Sequence, residues 1–144
     1  MKVIALALFV SFLTGCSAQS SRPSWSAKEK KNAQHFLTSL KIVSRAHAEN
    51  NRRGFGIRSE SEMNKMRSLY RQALNEAQQV DDAVLDKACA TLRIPYRDLF
   101  QRGVEMRLGA WETADASASI ESSKLLDKWA DWYVVHGREI KIRK

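Results

Sequence analysis

Ser59-Glu60-Ser61-Glu62-Met63-Asn64-Lys65-Met66-Arg67-Ser68-Leu69-Tyr70-Arg71-Gln72-Ala73-Leu74-Asn75-Glu76-Ala77-Gln78-Gln79-Val80 decides the fold class of this chain. Ser59 and Glu62 stand three residues apart, the spacing of a capping box. In that motif a hydroxyl and a carboxylate each satisfy a backbone N–H that the start of a helix leaves without a partner. Behind the cap, Met63, Met66, Tyr70, Ala73, Ala77 and Val80 recur at steps of three and four. That period belongs to one face of an α-helix, and a strand would alternate every second residue.

The same reasoning extends to both sides. Ser26 and Glu29 form a second capping box. After it, Ala33, Phe36, Leu37, Leu40, Val43 and His47 fall on one helical face, with His47 expected as a half-buried packing residue. Trp25 precedes the capping serine, where it can act as a hydrophobic staple. Asn50 to Gly56 breaks this first helix. On the other side, Asp81 is placed to cap a short third helix through Leu92. Pro95 suits the first turn of a fourth, since a proline there gives up no hydrogen bond. Tyr96, Leu99, Phe100, Val104, Leu108 and Trp111 make its apolar side. The small, polar segment Ala114 to Ser119 can cap a fifth helix, whose inward face carries Ile120, Leu125, Leu126, Trp129, Trp132 and Tyr133. Gly137 is a natural stop. No stretch of period-two alternation is long enough for a sheet. The expected fold is all-α, a compact bundle of four to five short amphipathic helices, either orthogonal or up-down.

The N-terminal stretch reads differently. Lys2 is followed by an apolar run, Val3 to Leu13, and then by Leu13-Thr14-Gly15-Cys16. Eleven helical residues reach only about 16 Å, whereas crossing a bilayer takes about 20 residues. The run is therefore read as a signal peptide. An ordinary secretory signal cut after Ser17-Ala18, or an apolar core helix, are the other readings of the same residues.

Leu13-Thr14-Gly15-Cys16 resembles the lipobox of bacterial lipoproteins. The resemblance implies removal of residues 1–15, a diacylglyceryl thioether on Cys16 and, in many Gram-negative bacteria, acylation of the new amine. Two or three acyl chains hold a protein on a membrane, because each buried CH₂ adds roughly 0.8 kcal/mol. The enterobacterial sorting pattern reads the next residue. Ser17 in place of aspartate implies the outer membrane, facing the periplasm. The expected organisation is then a signal peptide at 1–15, a lipidated N-terminus and polar tether at 16–25, a helical domain at 26–136 and a basic tail at 137–144. The tether spans about 30 Å at most.

Lipidation would consume one of only two cysteines. Cys89 is left without an intramolecular disulfide partner, and its apolar helical context points to a buried, inert thiol.

Charge is distributed unevenly. Residues 22–71 hold 12 basic and 4 acidic residues, residues 72–135 hold 7 and 11, and residues 136–144 hold 4 and 1. The basic part lies beside the anchor, where anionic lipid attracts each Lys or Arg by about 1 kcal/mol. Anionic lipid or cell wall is a candidate contact, and solvated helix faces are the plainer reading. Nucleic acid is not expected, for want of a recognition motif and in view of the compartment. Arg52, Arg53, Phe55 and Arg58, around the first helix break, form a candidate interaction loop.

No catalytic constellation, metal site or cofactor is expected. His35, His47 and His136 lack metal-ligand spacing. Gly54-Phe55-Gly56 is too short to cradle a phosphate. Asp127 and Asp131 stand one turn apart, but Lys124 and Lys128 beside them suggest a solvated charged face. Trp129, Trp132 and Tyr133 could stack on glycan, though such a stripe is more often core.

The function expected is a non-enzymatic, lipid-anchored accessory or adaptor protein that docks to another envelope component. Pilotins, small helical lipoproteins, are similar in size, anchor and class only. The ending Ile142-Arg143-Lys144 resembles the last residues of murein lipoproteins, whose terminal lysine is joined to peptidoglycan. That resemblance implies a cell-wall tether as an alternative. An envelope glycan-acting enzyme is a third reading.

Overall fold

The computed structural model describes residues 24–52 and 58–142. Among them every regular element is helical: α1 (Ala27–Arg52), α2 (Glu60–Gln78), α3 (Asp82–Ala88), α4 (Arg93–Pro95), a π-helical segment (Tyr96–Gln101), α5 (Arg102–Thr113), α6 (Ala116–His136) and a 3₁₀ turn (Gly137–Glu139). The signal peptide and lipidated N-terminus proposed for residues 1–17 lie outside the described residues.

Both capping boxes form. The Ser26 N–H donates to Glu29 Oε2 at 2.7 Å and the Glu29 N–H to Ser26 Oγ at 3.2 Å. Ser59 and Glu62 repeat the exchange at 2.9 and 3.3 Å. Asp115 starts α6, its carboxylate accepting from the N–H groups of Ser117 and Ala118. Asp81 precedes α3 as expected, but its side chain caps nothing. Asn32 of α1 performs the link instead, accepting from the Asp81 N–H at 2.8 Å and donating to the Gln79 carbonyl at 2.7 Å.

Cross-links between neighbours fix the topology. His35 meets Glu76 at 2.7 Å, and Glu49 meets Lys65 at 3.1 Å, so α1 and α2 run antiparallel. Arg71 meets Glu112 at 2.5 Å while Arg97 reaches the end of α2, so α2 and α5 are antiparallel as well. Arg107 bonds Ser119 near the start of α6, and Trp129 lies against Phe100. The arrangement is thus up-down, with α3 bridging α2 and α4.

The core centres on Tyr96, which is fully buried. Its ring lies 5.1 Å from Phe36 of α1, 5.2 Å from Phe100 and 5.9 Å from Trp129 of α6, centroid to centroid. Its hydroxyl is 3.0 Å from Ser39 Oγ, and Ser39 in turn donates to the Phe36 carbonyl. A buried phenol needs such a partner, and burial pushes its pKa well above the ordinary range.

The π-helical segment follows from the spacing of the core residues. Leu92, Tyr96, Phe100, Val104 and Leu108 are all buried and repeat every four residues. In an α-helix four residues overshoot one turn by about 40°, so a strict four-residue stripe would wind off the core. A stretch of i→i+5 turns winds less per residue. The Arg102 N–H accordingly reaches back to the Arg97 carbonyl. Gly103 then lets α5 approach α6 closely, since a Cβ there would sit 3.0 Å from Leu126.

Several expectations from the sequence need correction. The third helix stops at Ala88 rather than Leu92, because Cys89 adopts an extended conformation. Cys89 is half-buried, not buried, with its Sγ 3.4 Å from Thr91 Oγ1. His47 is exposed: Ala46 takes the inward position of that turn, and one residue further turns the side chain by about 100°. Ile120 is also exposed, at 58 %. The inward positions of that end of α6 belong to Ser119, Ser122 and Ser123, two of which give hydroxyls to Arg107. Gly137 ends α6 in right-handed conformation, and the left-handed residue is Ala114, φ 56°, which closes α5. The segment after the 3₁₀ turn is no detached tail within the described residues. Ile140 and Ile142 pack on the core, and the Lys141 N–H donates to the Ala88 carbonyl at 2.9 Å.

Trp25 staples α1 to α3 rather than to its own helix. It packs against the core with the Lys87 ammonium 5.2 Å from its ring centroid. Lys87 also donates to Glu29 Oε1 at 2.6 Å. The Lys87 hydrogen bond first, and the Ser26 N–H second, hold the Glu29 carboxyl down to about 2 from an ordinary 4.5. A depressed carboxyl pKa stabilises the fold above the unfolded value and loses that contribution as pH falls through the folded one. Glu29 should therefore stabilise the domain above pH 4.5 and cease to do so by about pH 2. Carboxyl-resolved NMR titration checks this: Lys87→Met should move the Glu29 midpoint up toward the ordinary range. An unchanged midpoint in that variant would refute the assignment to Lys87.

Candidate interaction surface

Of the expected interaction loop, Arg52 and Arg58 are among the described residues. Arg52 is exposed at the end of α1. Arg58 is half-buried and engaged: it donates to Asn50 Oδ1 at 2.7 Å, and its guanidinium sits 5.6 Å from the Trp111 ring centroid. It clamps the end of α1 to the start of α2 and to α5, so its role is structural. Beside it lies a cleft of about 60 Å³ lined by Glu49, Arg58, Glu62, Lys65 and Met66. That is room for one or two waters rather than an organic ligand. Arg53 and Phe55 lie outside the described residues.

The Trp-rich stripe of α6 is core. Trp129 is 6 % exposed and contacts Tyr96, Phe100, Trp132 and Tyr133. A ring so enclosed offers no face to a sugar. Trp132 stacks on His136 at 4.9 Å, and His136 Nδ1 is 3.2 Å from Glu139. Asp127 and Asp131 are both exposed, but Lys124 pairs with Glu121 at 2.6 Å, not with Asp127. Among the described residues no group of His, Cys, Asp and Glu is placed to hold a metal ion, and no helix is long and apolar enough to cross a membrane.

Two surfaces remain once these are set aside. The first is at the end of α6, where Val134 and Val135 are 64 % and 68 % exposed. They lie between charged Asp131 and Arg138, on a helix whose other outward residues are mainly polar. Together they make a small apolar patch, whereas Ile94 and Ile120 are exposed singly. The inward face read for this helix from the sequence ends at Tyr133 and does not include them.

The second is the outward face of α1. Lys31, Lys41, Arg45 and Arg52 are all exposed and fall on one stripe opposite Ala33, Phe36 and Ala46. Of the two carboxylates of α1, Glu29 pairs with Lys87, and Glu49 pairs with Lys65 while standing beside Arg45 and Arg52. The basic excess noted along residues 22–71 is therefore concentrated in space as well as in sequence.

Comparison of the chain with protein-family models, with curated proteins and with solved structures returns no match. The site has to be read from its own chemistry.

Proposed function

We propose that this protein is a lipid-anchored envelope adaptor, held on the membrane through Cys16 and docking its helical domain to another envelope protein. The exposed pair Val134–Val135 carries this reading. A partner that covered this pair would take their apolar surface out of water, a gain of roughly 25 cal/mol per Å². The lipobox Leu13-Thr14-Gly15-Cys16 supports the anchor, and Ser17 supports the outer membrane as its location. The polar clusters of the domain support a non-enzymatic role, because their members join one helix to another: His35 to Glu76, Lys87 to Glu29, Arg97 to Asp82.

Two measurements test the proposal. Intact mass of the protein from detergent-extracted envelopes should show a chain beginning at Cys16 with acyl chains attached, and Cys16→Ser should leave an unprocessed precursor. A photo-crosslinking residue placed at position 135 should capture one envelope protein that the same residue at exposed position 105 does not. Recovery of the same products from both positions, or of this chain alone, would remove the adaptor reading.

A further inference from the structure

We infer that the outward face of α1 is a docking surface for anionic phospholipid headgroups, laying the helix along the membrane that carries the anchor. The inference rests on the lipid-anchor reading for its choice of partner, and on the structure for its surface. Lys31, Lys41, Arg45 and Arg52 lie along about 32 Å of a single helix. Gln34, Thr38 and Ala48 lie between them, and the one carboxylate on this side, Glu49, stands beside Arg45 and Arg52 while bound to Lys65. Among the described residues none of the four cations is paired with a carboxylate. Lys65, Arg71, Lys87, Arg93, Arg97 and Lys124, by contrast, each meet one.

The shape favours a membrane over the other polyanions. A row of charges on one straight helix matches a flat surface. It has no aromatic residue on which a nucleic-acid base could stack, the usual companion of basic residues in single-strand grooves. The position favours it too. Only ten residues separate Cys16 from the start of α1 at Ala27, so an anchored chain holds this face at high effective concentration near the headgroups. With Ala48 as its one small apolar residue, the stripe attracts by charge, and the attraction is screened by salt beyond about 10 Å at 0.1 M.

The test uses a chain beginning at Ser17, which has no acyl group and retains every core residue, all of which lie between Trp25 and Ile142. Vesicles of phosphatidylcholine with about one-third phosphatidylglycerol should bind it at low salt, and pure phosphatidylcholine should not. Each basic residue near an anionic surface strengthens binding about fivefold. Changing Lys31, Lys41, Arg45 and Arg52 together to Gln should then weaken it on the order of a hundredfold or more. Changing Arg102, Lys128, Arg138 and Lys141 to Gln removes the same net charge from other faces and should weaken it less than about tenfold. Circular dichroism melting confirms that both variants fold, since all eight side chains are exposed. Equal losses in the two variants would overturn the proposal, as would binding indifferent to phosphatidylglycerol. Stripe-dependent binding to heparin or DNA without binding to anionic vesicles would overturn it in favour of a polyanion. The acylation state of Cys16 does not enter this measurement, so failure of the anchor reading and failure of the docking surface are seen separately.

Discussion

Trp129→Ala should lower the unfolding free energy by about 3–5 kcal/mol, the cost of deleting a large aromatic side chain from a packed core. The position warrants the upper half of that range. The indole touches four other rings, those of Tyr96, Phe100, Trp132 and Tyr133, and only 6 % of it reaches solvent. It is the main aromatic link from α6 to the π-helical segment, and through Tyr96 to α1. Small domains hold only about 5–15 kcal/mol in total, so the variant should unfold at the edge of physiological temperature. Trp129→Phe keeps a ring in the stack and should cost less than half as much. Trp132→Ala, next in the stack but half-exposed, should cost about 1–2 kcal/mol. Urea denaturation followed by circular dichroism orders the three. A Trp132→Ala loss equal to that of Trp129→Ala would show that the aromatic centre lies further along α6 than the ring geometry places it.

What could be read from the sequence was what depends on neighbours along the chain. Ser26 with Glu29 and Ser59 with Glu62 act within a single turn, and both caps form. Of the stripe read from Met63 to Val80, Met66, Tyr70, Ala73 and Ala77 are buried on the single helix α2 and Val80 just after it, while Met63 is half-buried. Failures occur where a residue's partner lies far along the chain. Asp81 lost its capping role to Asn32, 49 residues away. Ile120 lost its inward place to serines that serve Arg107, since a half-buried guanidinium needs acceptors more than the helix start needs another apolar contact. The excess of positive charge in residues 22–71 was legible, but its gathering on one face of α1 required knowing that Glu29 and Glu49 are taken by Lys87 and Lys65. Val134 and Val135 stand outside the apolar face read for the last helix, and their exposure is seen only in the structure.

Arg97 is the residue whose importance the sequence concealed most, and its replacement should produce the second large loss. It stands between Tyr96 and Asp98 in a segment read for its apolar side. In the structure its guanidinium donates to the carbonyls of Ala77 and Val80, to Gln101 Oε1 at 2.6 Å and to Asp82 Oδ1 at 2.7 and 2.9 Å. The end of α2 explains the demand. The last turn of α2 has no basic residue, and Gln79 follows in right-handed conformation, without the left-handed glycine that usually closes a helix. Gln79 and Val80 donate to the carbonyls of Glu76 and Ala77, and Arg97 adds a second donor to Ala77 and serves the Val80 carbonyl in the turn into α3. Arg97→Met should cost about 3 kcal/mol, mostly as the Val80 carbonyl left unpaired and the bonds to Ala77 and Gln101 lost in a half-buried site. Arg97→Lys should recover little of it, because one ammonium cannot supply the planar fork that spans α2, Asp82 and Gln101 at once. The ion pair with Asp82 is the smaller part, since the Asp82 side chain is 52 % exposed and such pairs contribute at most about 1 kcal/mol. The distinction is measurable. In an Asp82→Asn background Arg97→Met should still cost at least about 2 kcal/mol, with reduced hydrogen-exchange protection confined to the last turn of α2 and to α3. If the Asp82→Asn background abolished the effect, Arg97 would be an ion-pair partner only, and the carbonyls at the end of α2 would have to be satisfied by water.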